Sequence, residues 1–160
     1  MLLAIDTSTR QIGLALFDGS VLHHESVWNS PNRHTVELSA AIDRGMERSG
    51  ISIDDLTAVA VAKGPGSYTG LRIGMAVAKG LALSQRIPIV GVSTWDIYLE
   101  SLAKKGPPVQ LVIEAGRSRI TTAKFEYKDR AWQEVDDARV VRPEEFAEEV
   151  TEKVLMCGEL

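Results

Sequence analysis

The feature that most constrains the fold of this chain is a glycine- and alanine-rich segment at residues 60–83, AVAKGPGSYTGLRIGMAVAKGLAL. A short run of small apolar residues, 58–62, predicts a strand that is buried on both faces. The glycine loop that follows leads into a predicted helix from about Thr69 to Ser84, whose apolar residues point in almost every direction. Such a helix must be buried on more than one side. Because 160 residues offer little room to bury it fully, one side is expected to pack against another chain.

A stripe of small residues runs along this predicted helix. Gly70, Gly74, Ala78 and Ala82 recur at spacings of four, and small side chains let two helix backbones approach closely. The sequence alone leaves two interpretations open. The stripe either meets a helix of a partner or belongs to an internal core helix between two lobes.

The remaining pattern predicts an α/β fold with a mixed sheet. Other strands are predicted at 2–5, 12–17, 21–27 and 89–92, with an Asp18-Gly19 hairpin turn, and other helices at about 34–49 and from Thr94 to about Lys105. Pro107-Pro108 is the best candidate linker, so the predicted division is 1–106 for the first lobe and 107–160 for a partial second lobe. In the second lobe we expect a hairpin, a short helix at 143–150 and a last strand at 153–157.

Composition excludes several classes of protein. The net charge of −4 argues against binding nucleic acid through the chain's own surface. The single cysteine, Cys157, fits a reducing compartment. The first residues lack the basic region of a secretion signal, and no 18-residue run is apolar enough to span a membrane. We therefore expect a cytoplasmic protein without membrane association.

Two motifs suggest a phosphate site. Asp6, Thr7 and Ser8 follow the first strand, where a carboxylate and hydroxyls suit a magnesium-bound phosphate, and Gly64 and Gly66 lie in the loop before the long helix. Both motifs have a purely structural alternative, an Asx turn for the first and close packing of strand and helix for the second. The loop is neither a Walker A motif nor a dinucleotide fingerprint. No resident cofactor is expected, and weak binding of ATP or ADP with magnesium stays open.

The remaining chemistry-bearing residues do not form a recognisable catalytic or metal site. His23 and His24 are adjacent on a strand and point to opposite faces, and His34 has no histidine or cysteine at helical spacing. Zinc needs three or four convergent ligands, so no metal site is predicted. No nucleophile-elbow serine is present, and buried structural cysteine is the default for Cys157. A metallopeptidase is therefore the weakest of the interpretations.

Four segments taken together resemble one known family. LLAIDTSTRQIGLALFDG, then RHT before a helix, then VAKGPGSYTGLRIGMAVAKGLAL, then IPIVGVSTWD are similar to the bacterial TsaB (YeaZ) family of the Gcp-like group, historically labelled peptidase M22 or glycoprotease. The resemblance is close up to about residue 100 and looser over LVIEAGRSRITTAKFEY. It implies the superfold of acetate and sugar kinases, heat-shock ATPases and actin.

The resemblance also implies a function. Members of this family take part in adding threonylcarbamoyl to adenosine 37 of tRNA without being the catalyst. They pair with the catalytic paralogue TsaD, are joined by the ATPase TsaE, form homodimers through their first two helices, and meet tRNA only through the complex. A small ATPase or phosphotransferase of the same superfold is the alternative. The predicted dimer interface comprises Val36, Ile42, Met46, Leu71, Gly74, Met75, Ala78 and Ala82.

Particular positions favour the non-catalytic assignment. The catalytic paralogue carries a His-x-x-x-His metal pair, and the matching positions here fall on Thr94 and Tyr98, which cannot replace two imidazoles. This chain also departs from the family at Glu114, where aspartate is usual, and at Gly116, which intervenes before Arg117. It ends earlier than the family's usual length, so a short second lobe is expected.

Overall fold

A computed structural model describes residues 1–30, 34–104, 106–151 and 154–159, without the side chains of residues 34 and 35. The chain divides into two compact units, residues 1–93 and 94–160. Each unit has a mixed sheet and its own buried residues.

The first unit is an α/β layer built from the patterns predicted above. Its elements are β1 (Leu2–Asp6), β2 (Gln11–Phe17), β3 (Leu22–Asn29), α1 (His34–Ser49), β4 (Ala58–Ala62), α2 (Tyr68–Gln85) and β5 (Ile89–Val92). The sheet has the order β3-β2-β1-β4-β5, in which β1, β2 and β3 are antiparallel neighbours and β4 and β5 run parallel to β1. The predicted mixed sheet and the hairpin turn at Asp18 are confirmed.

Alternation along the strands places the core on the side of the sheet that α1 and α2 cover. Leu3 and Ile5 of β1 are buried, whereas Leu2, Ala4 and Asp6, which alternate with them along the strand, are half-buried. They join one cluster with residues from both helices. The buried members from the helices are Leu38, Ala41, Ile42, Met46 and Ala78. Both helices therefore contribute one face to the first core.

The second unit repeats part of this arrangement. Its elements are α3 (Thr94–Glu100), β6 (Val109–Gly116), β7 (Arg119–Lys128), β8 (Ala131–Val141), α4 (Pro143–Glu149) and β9 (Leu155–Gly158). The sheet order is β8-β7-β6-β9, with antiparallel neighbours except for β6 and β9, which are parallel. The succession of three antiparallel strands, a helix and a parallel strand thus occurs in both units.

The end of α3 and the division between the two units differ from the sequence-based expectations. Helix α3 ends at Glu100, because Ser101 and Leu102 donate their N–H groups to Tyr98 and Leu99 in tight terminal turns. Lys105, the predicted end, lies outside the described residues. Helix α3 belongs to the second unit, because its buried Trp95 and Leu99 pack in the cluster formed by β6 and β7. The predicted division after residue 106 places this helix in the first lobe.

No helix within the described ranges is long and apolar enough to cross a membrane.

Candidate functional site

The two predicted phosphate-binding loops meet at one edge of the first sheet. Strands β1 and β4 are parallel neighbours, with Ile5 opposite Val61. Their carboxyl ends therefore lie side by side, and the polar turn after Asp6 faces the glycine loop after Ala62. The structure brings the motifs Asp6-Thr7-Ser8 and Gly64–Gly66 together.

Two of the three polar side chains of the first loop make hydrogen bonds inside the chain. Asp6 Oδ1 accepts the backbone N–H of Ser8 at 2.8 Å, which is the Asx turn that the sequence left open. Thr7 is fully buried, and its Oγ1 donates to the carbonyl oxygen of Gly70 at 2.8 Å. The buried Ser8 Oγ makes no hydrogen bond with any described residue. Asp6 thus holds the turn after β1, and Thr7 connects this turn to α2.

The glycines of the second loop permit a backbone contact. Gly64 and Gly66 have φ values of 103° and 156°, which side-chain-bearing residues rarely adopt. A Cβ on Gly66 would lie 2.1 Å from the carbonyl oxygen of Ser8. The next residue, Ser67, donates its N–H to that same oxygen at 2.6 Å and caps α2 by accepting the Gly70 N–H on its Oγ. Close packing accounts for Gly66, and the positive φ accounts for Gly64.

The small-residue stripe of α2 faces its own sheet. A Cβ on Gly70 would lie 2.1 Å from the Thr7 carbonyl oxygen, and one on Gly74 would lie 2.2 Å from Thr7 Oγ1. Ala78 and Ala82 continue the buried stripe. Their small size lets the helix backbone approach the end of β1, so this stripe packs inside the first unit, against its own sheet.

This burial corrects part of the predicted dimer interface. Ile42 and Met46 are buried in the first core, as are the stripe residues Gly74, Ala78 and Ala82. Residues buried within their own unit have almost no surface to offer a partner. Leu71 and Met75 are half-buried, and Val36 is 79% exposed.

Another face of α2 is exposed, and the sequence prediction missed it. Tyr68 is 73% exposed and Leu83 is 82% exposed, with exposed Arg72 and Ala76 between them. The Arg72 guanidinium lies over the Tyr68 ring, 5.3 Å from its centroid. The charged residues of the helix were the available signal, because Arg72 and Lys79 mark the side that faces solvent.

The second unit supplies no metal pair at the described positions that match the catalytic paralogue. Thr94 is fully buried, and its hydroxyl has no hydrogen-bond partner among the described residues, while Tyr98 is half-buried. In the described ranges no three His, Cys, Asp or Glu side chains gather as a metal site. Cys157 lies half-buried on β9.

Comparison with known proteins places this geometry in a family. Residues 29–154 match the family model TsaD, described as tRNA N6-adenosine threonylcarbamoyltransferase. The tRNA threonylcarbamoyladenosine biosynthesis protein TsaB of Escherichia coli is 33% identical, over 89% of this chain and 63% of the relative. The protein of the same name from Bacillus subtilis is 34% identical, over 98% of this chain and 70% of the relative. The chain therefore spans about two thirds of the length of these two relatives.

The structural comparison agrees on the fold. YeaZ from Pseudomonas aeruginosa aligns with a TM-score of 0.82 at 21% identity, covering 99% of this chain and 84% of that protein. The architecture is thus that of an α/β protein with the YeaZ fold. With the sequence matches, the assignment becomes specific: the chain belongs to the TsaB (YeaZ) family.

Proposed function

We propose that this chain is a non-catalytic scaffold subunit in the addition of threonylcarbamoyl to adenosine 37 of tRNA, and that it dimerises with a catalytic paralogue of the TsaD type. The names of the E. coli and B. subtilis relatives support the pathway. The observation that carries the scaffold role is the exposed outer face of α2, which presents the large apolar side chains of Tyr68 and Leu83. In the loop site of the same unit, Asp6 Oδ1 and Thr7 Oγ1 are already engaged in internal hydrogen bonds.

The non-catalytic part of the proposal is supported by the candidate phosphate loops. Asp6 accepts a backbone N–H of its own turn, and Thr7 Oγ1 is committed to Gly70. A phosphate ligand would have to compete with these bonds, so the alternative of a small ATPase or phosphotransferase is not favoured. At the positions of the paralogue's metal pair, Thr94 and Tyr98 supply no imidazole. We accordingly propose no resident cofactor and at most weak binding of ATP or ADP with magnesium.

The proposed partner surface is the solvent side of the two helices. It is formed by Tyr68, Arg72 and Leu83 of α2 together with Val36 of α1, and it takes the place of the buried residues of the predicted interface. Three of these side chains are large and apolar and lie exposed on helices that contact one another. We propose that they form one apolar surface, because contiguous exposed apolar residues mark protein interaction sites.

The other partners follow from family membership. We propose that a TsaE-type ATPase joins the pair, that the chain forms a homodimer when alone, and that tRNA is contacted only through the complex. The net charge of −4 supports indirect contact, because a direct tRNA surface would need excess positive charge. A cytoplasmic location is proposed with the role, since tRNA is modified there.

Reconstitution tests the proposed role. A threonylcarbamoylation assay would combine tRNA with the catalytic paralogue and the ATPase, with and without this chain. We expect no modified tRNA from this chain alone and loss of modification when it is omitted from the full mixture. Modification by this chain alone, or an unchanged rate in its absence, would contradict the proposal.

A further inference from the structure

A polar cleft of about 320 Å³ lies between β3 and α1 in the first unit. Strand β3 is an edge strand of the sheet, and its half-buried His24 and Trp28 line the cleft. Helix α1 contributes Arg44 and Arg48 to the same cleft. None of the lining residues belongs to the phosphate motifs or to the proposed partner surface.

A glycine in the middle of α1 gives the cleft its shape. A Cβ on Gly45 would lie 2.9 Å from Cδ2 and 3.1 Å from Nε2 of the His24 ring. Glycine in a helix interior lowers helix stability relative to alanine. Gly45 therefore costs the helix some stability and leaves the space that the His24 ring occupies in the cleft. The bare backbone at Gly45 lets the imidazole lie directly against the helix.

Two arginines one helical turn apart supply positive charge to the cleft. Within the described ranges, neither Arg44 nor Arg48 makes a hydrogen bond or ion pair. Like charges at this spacing repel each other along a helix. Arg48 lies in the last turn, where the helix dipole favours a cation, but this reason does not extend to Arg44. An anion between the two guanidinium groups would remove the repulsion.

The remaining charge of the cleft is internally engaged. Glu37 also lines it, and its Oε2 accepts the indole N–H of Trp28 at 3.1 Å. Arg44 and Arg48 follow Glu37 on α1 by seven and eleven positions, so they lie about two and about three helical turns from the carboxylate. The His24 Nε2 lies 3.3 Å from Ser26 Oγ. The cleft is therefore cationic towards the arginines and aromatic towards Trp28.

We propose that Arg44 and Arg48 bind the phosphate group of a small phosphate monoester in this cleft, with its organic part lying towards Trp28. Guanidinium groups match phosphate oxygens with paired, charge-assisted hydrogen bonds. The volume lies at the lower end of the range of small-molecule sites, roughly 300–1,000 Å³, and holds more than a bare phosphate ion. This binding site is independent of the proposed scaffold role.

Calorimetric titration of the full chain tests the site with two probes, inorganic phosphate and phenyl phosphate, at constant ionic strength. We expect one saturable site for both probes and tighter binding of phenyl phosphate. Arg44→Gln and Arg48→Gln should each raise the dissociation constant about ten-fold, the effect of one lost charge-assisted contact. Arg119→Gln is the matched control, because Arg119 is exposed on β7 in the second unit, and it should leave both constants unchanged.

Thermal melting of the variants verifies that the exposed substitutions preserve the fold. Absence of saturable binding by the wild-type chain, or equal binding by the Arg44 and Arg48 variants, would overturn the site. If phenyl phosphate binds no more tightly than inorganic phosphate, the proposed monoester ligand is wrong and the cleft binds the free phosphate ion.

Discussion

Gly74 shows at the scale of one residue why α2 carries small side chains. Its missing Cβ leaves room for the Thr7 hydroxyl, which donates to the carbonyl of Gly70. Gly80 lies on the same helix, and a Cβ at that position would meet nothing within 4 Å. The two glycines of this helix are therefore not equivalent, because packing requires glycine at position 74 but not at position 80.

The substitution pair Gly74→Ala and Gly80→Ala separates these reasons. Gly74→Ala should lower the free energy of unfolding by about 2 kcal/mol, because the added methyl overpacks a close contact. Gly80→Ala should raise it by up to about 1 kcal/mol, since alanine favours the helix. Urea denaturation measures both, and equal effects of the two substitutions would contradict the packing role of Gly74.

Asp18 is a second residue whose chemistry leads to a measurable expectation. Its carboxylate accepts from His23 and from the backbone of Val21 and Ser20, and these bonds hold the pKa of Asp18 well below its usual value. A carboxylate with a lowered folded-state pKa stabilises the fold above its unfolded pKa, near about 3.9, and this stabilisation is lost as the pH falls through the folded-state pKa.

Asp18→Asn removes this charge while keeping an acceptor for the turn. We expect the wild-type chain to be slightly more stable than the variant above about pH 5, with the difference shrinking as the pH falls towards about 2. The effect should be small because the hairpin is exposed. Unfolding curves across this range measure the difference, and a difference that grows on acidification would show that the carboxylate does not act in this way.

At the scale of elements, α2 has two faces that the sequence alone does not tell apart. The stripe of small residues at spacings of four is evident in the sequence, which also predicts the helix bounds to within about a residue. The sequence does not determine what the stripe packs against, because packing against a sheet and packing against a partner helix both favour glycine and alanine. The contact of Gly70 and Gly74 with Thr7 decides for the sheet.

Ala76 and Ala78 test this assignment of faces. Ala78 is fully buried and Ala76 is exposed, although they are two residues apart on one helix. Ala78→Glu should destabilise the chain by about 4 kcal/mol or more, because it buries an unpaired charge, whereas Ala76→Glu should change stability by no more than about 0.5 kcal/mol. Circular dichroism melting compares them, and similar melting of the two variants would refute the orientation of α2.

Strand β8 illustrates a different limit of sequence-based prediction. The pattern predicts no element for residues 131–141, because this segment is mostly polar and exposed and has no apolar alternation. It forms a strand because it pairs along β7, with Tyr127 opposite Trp132 at the hairpin end. Pairing of backbone groups, which leaves little trace in side-chain pattern, determines this edge of the second sheet.

At the scale of the whole molecule, the same succession of strands and helix occurs twice, once in each unit. Strands β1 to β3, helix α1 and strand β4 have their counterparts in β6 to β8, α4 and β9. The first unit carries the longer helices and the exposed apolar residues Tyr68 and Leu83, which the proposed partner surface uses. In the polar loop at the end of β1, Asp6 Oδ1 and Thr7 Oγ1 are committed to internal hydrogen bonds. We therefore propose that the first unit acts as a binding module.

Complex formation with the catalytic paralogue tests this claim most directly. Size-exclusion chromatography with light scattering would compare the wild-type chain, the double variant Tyr68→Glu/Leu83→Glu and the control Val21→Glu, whose residue is exposed in the hairpin between β2 and β3. We predict a wild-type heterodimer, at least about 100-fold weaker association of the double variant, as expected for two lost apolar anchors, and an unchanged control. A double variant that remains folded and binds the paralogue as tightly as the wild-type chain would contradict the proposed binding role.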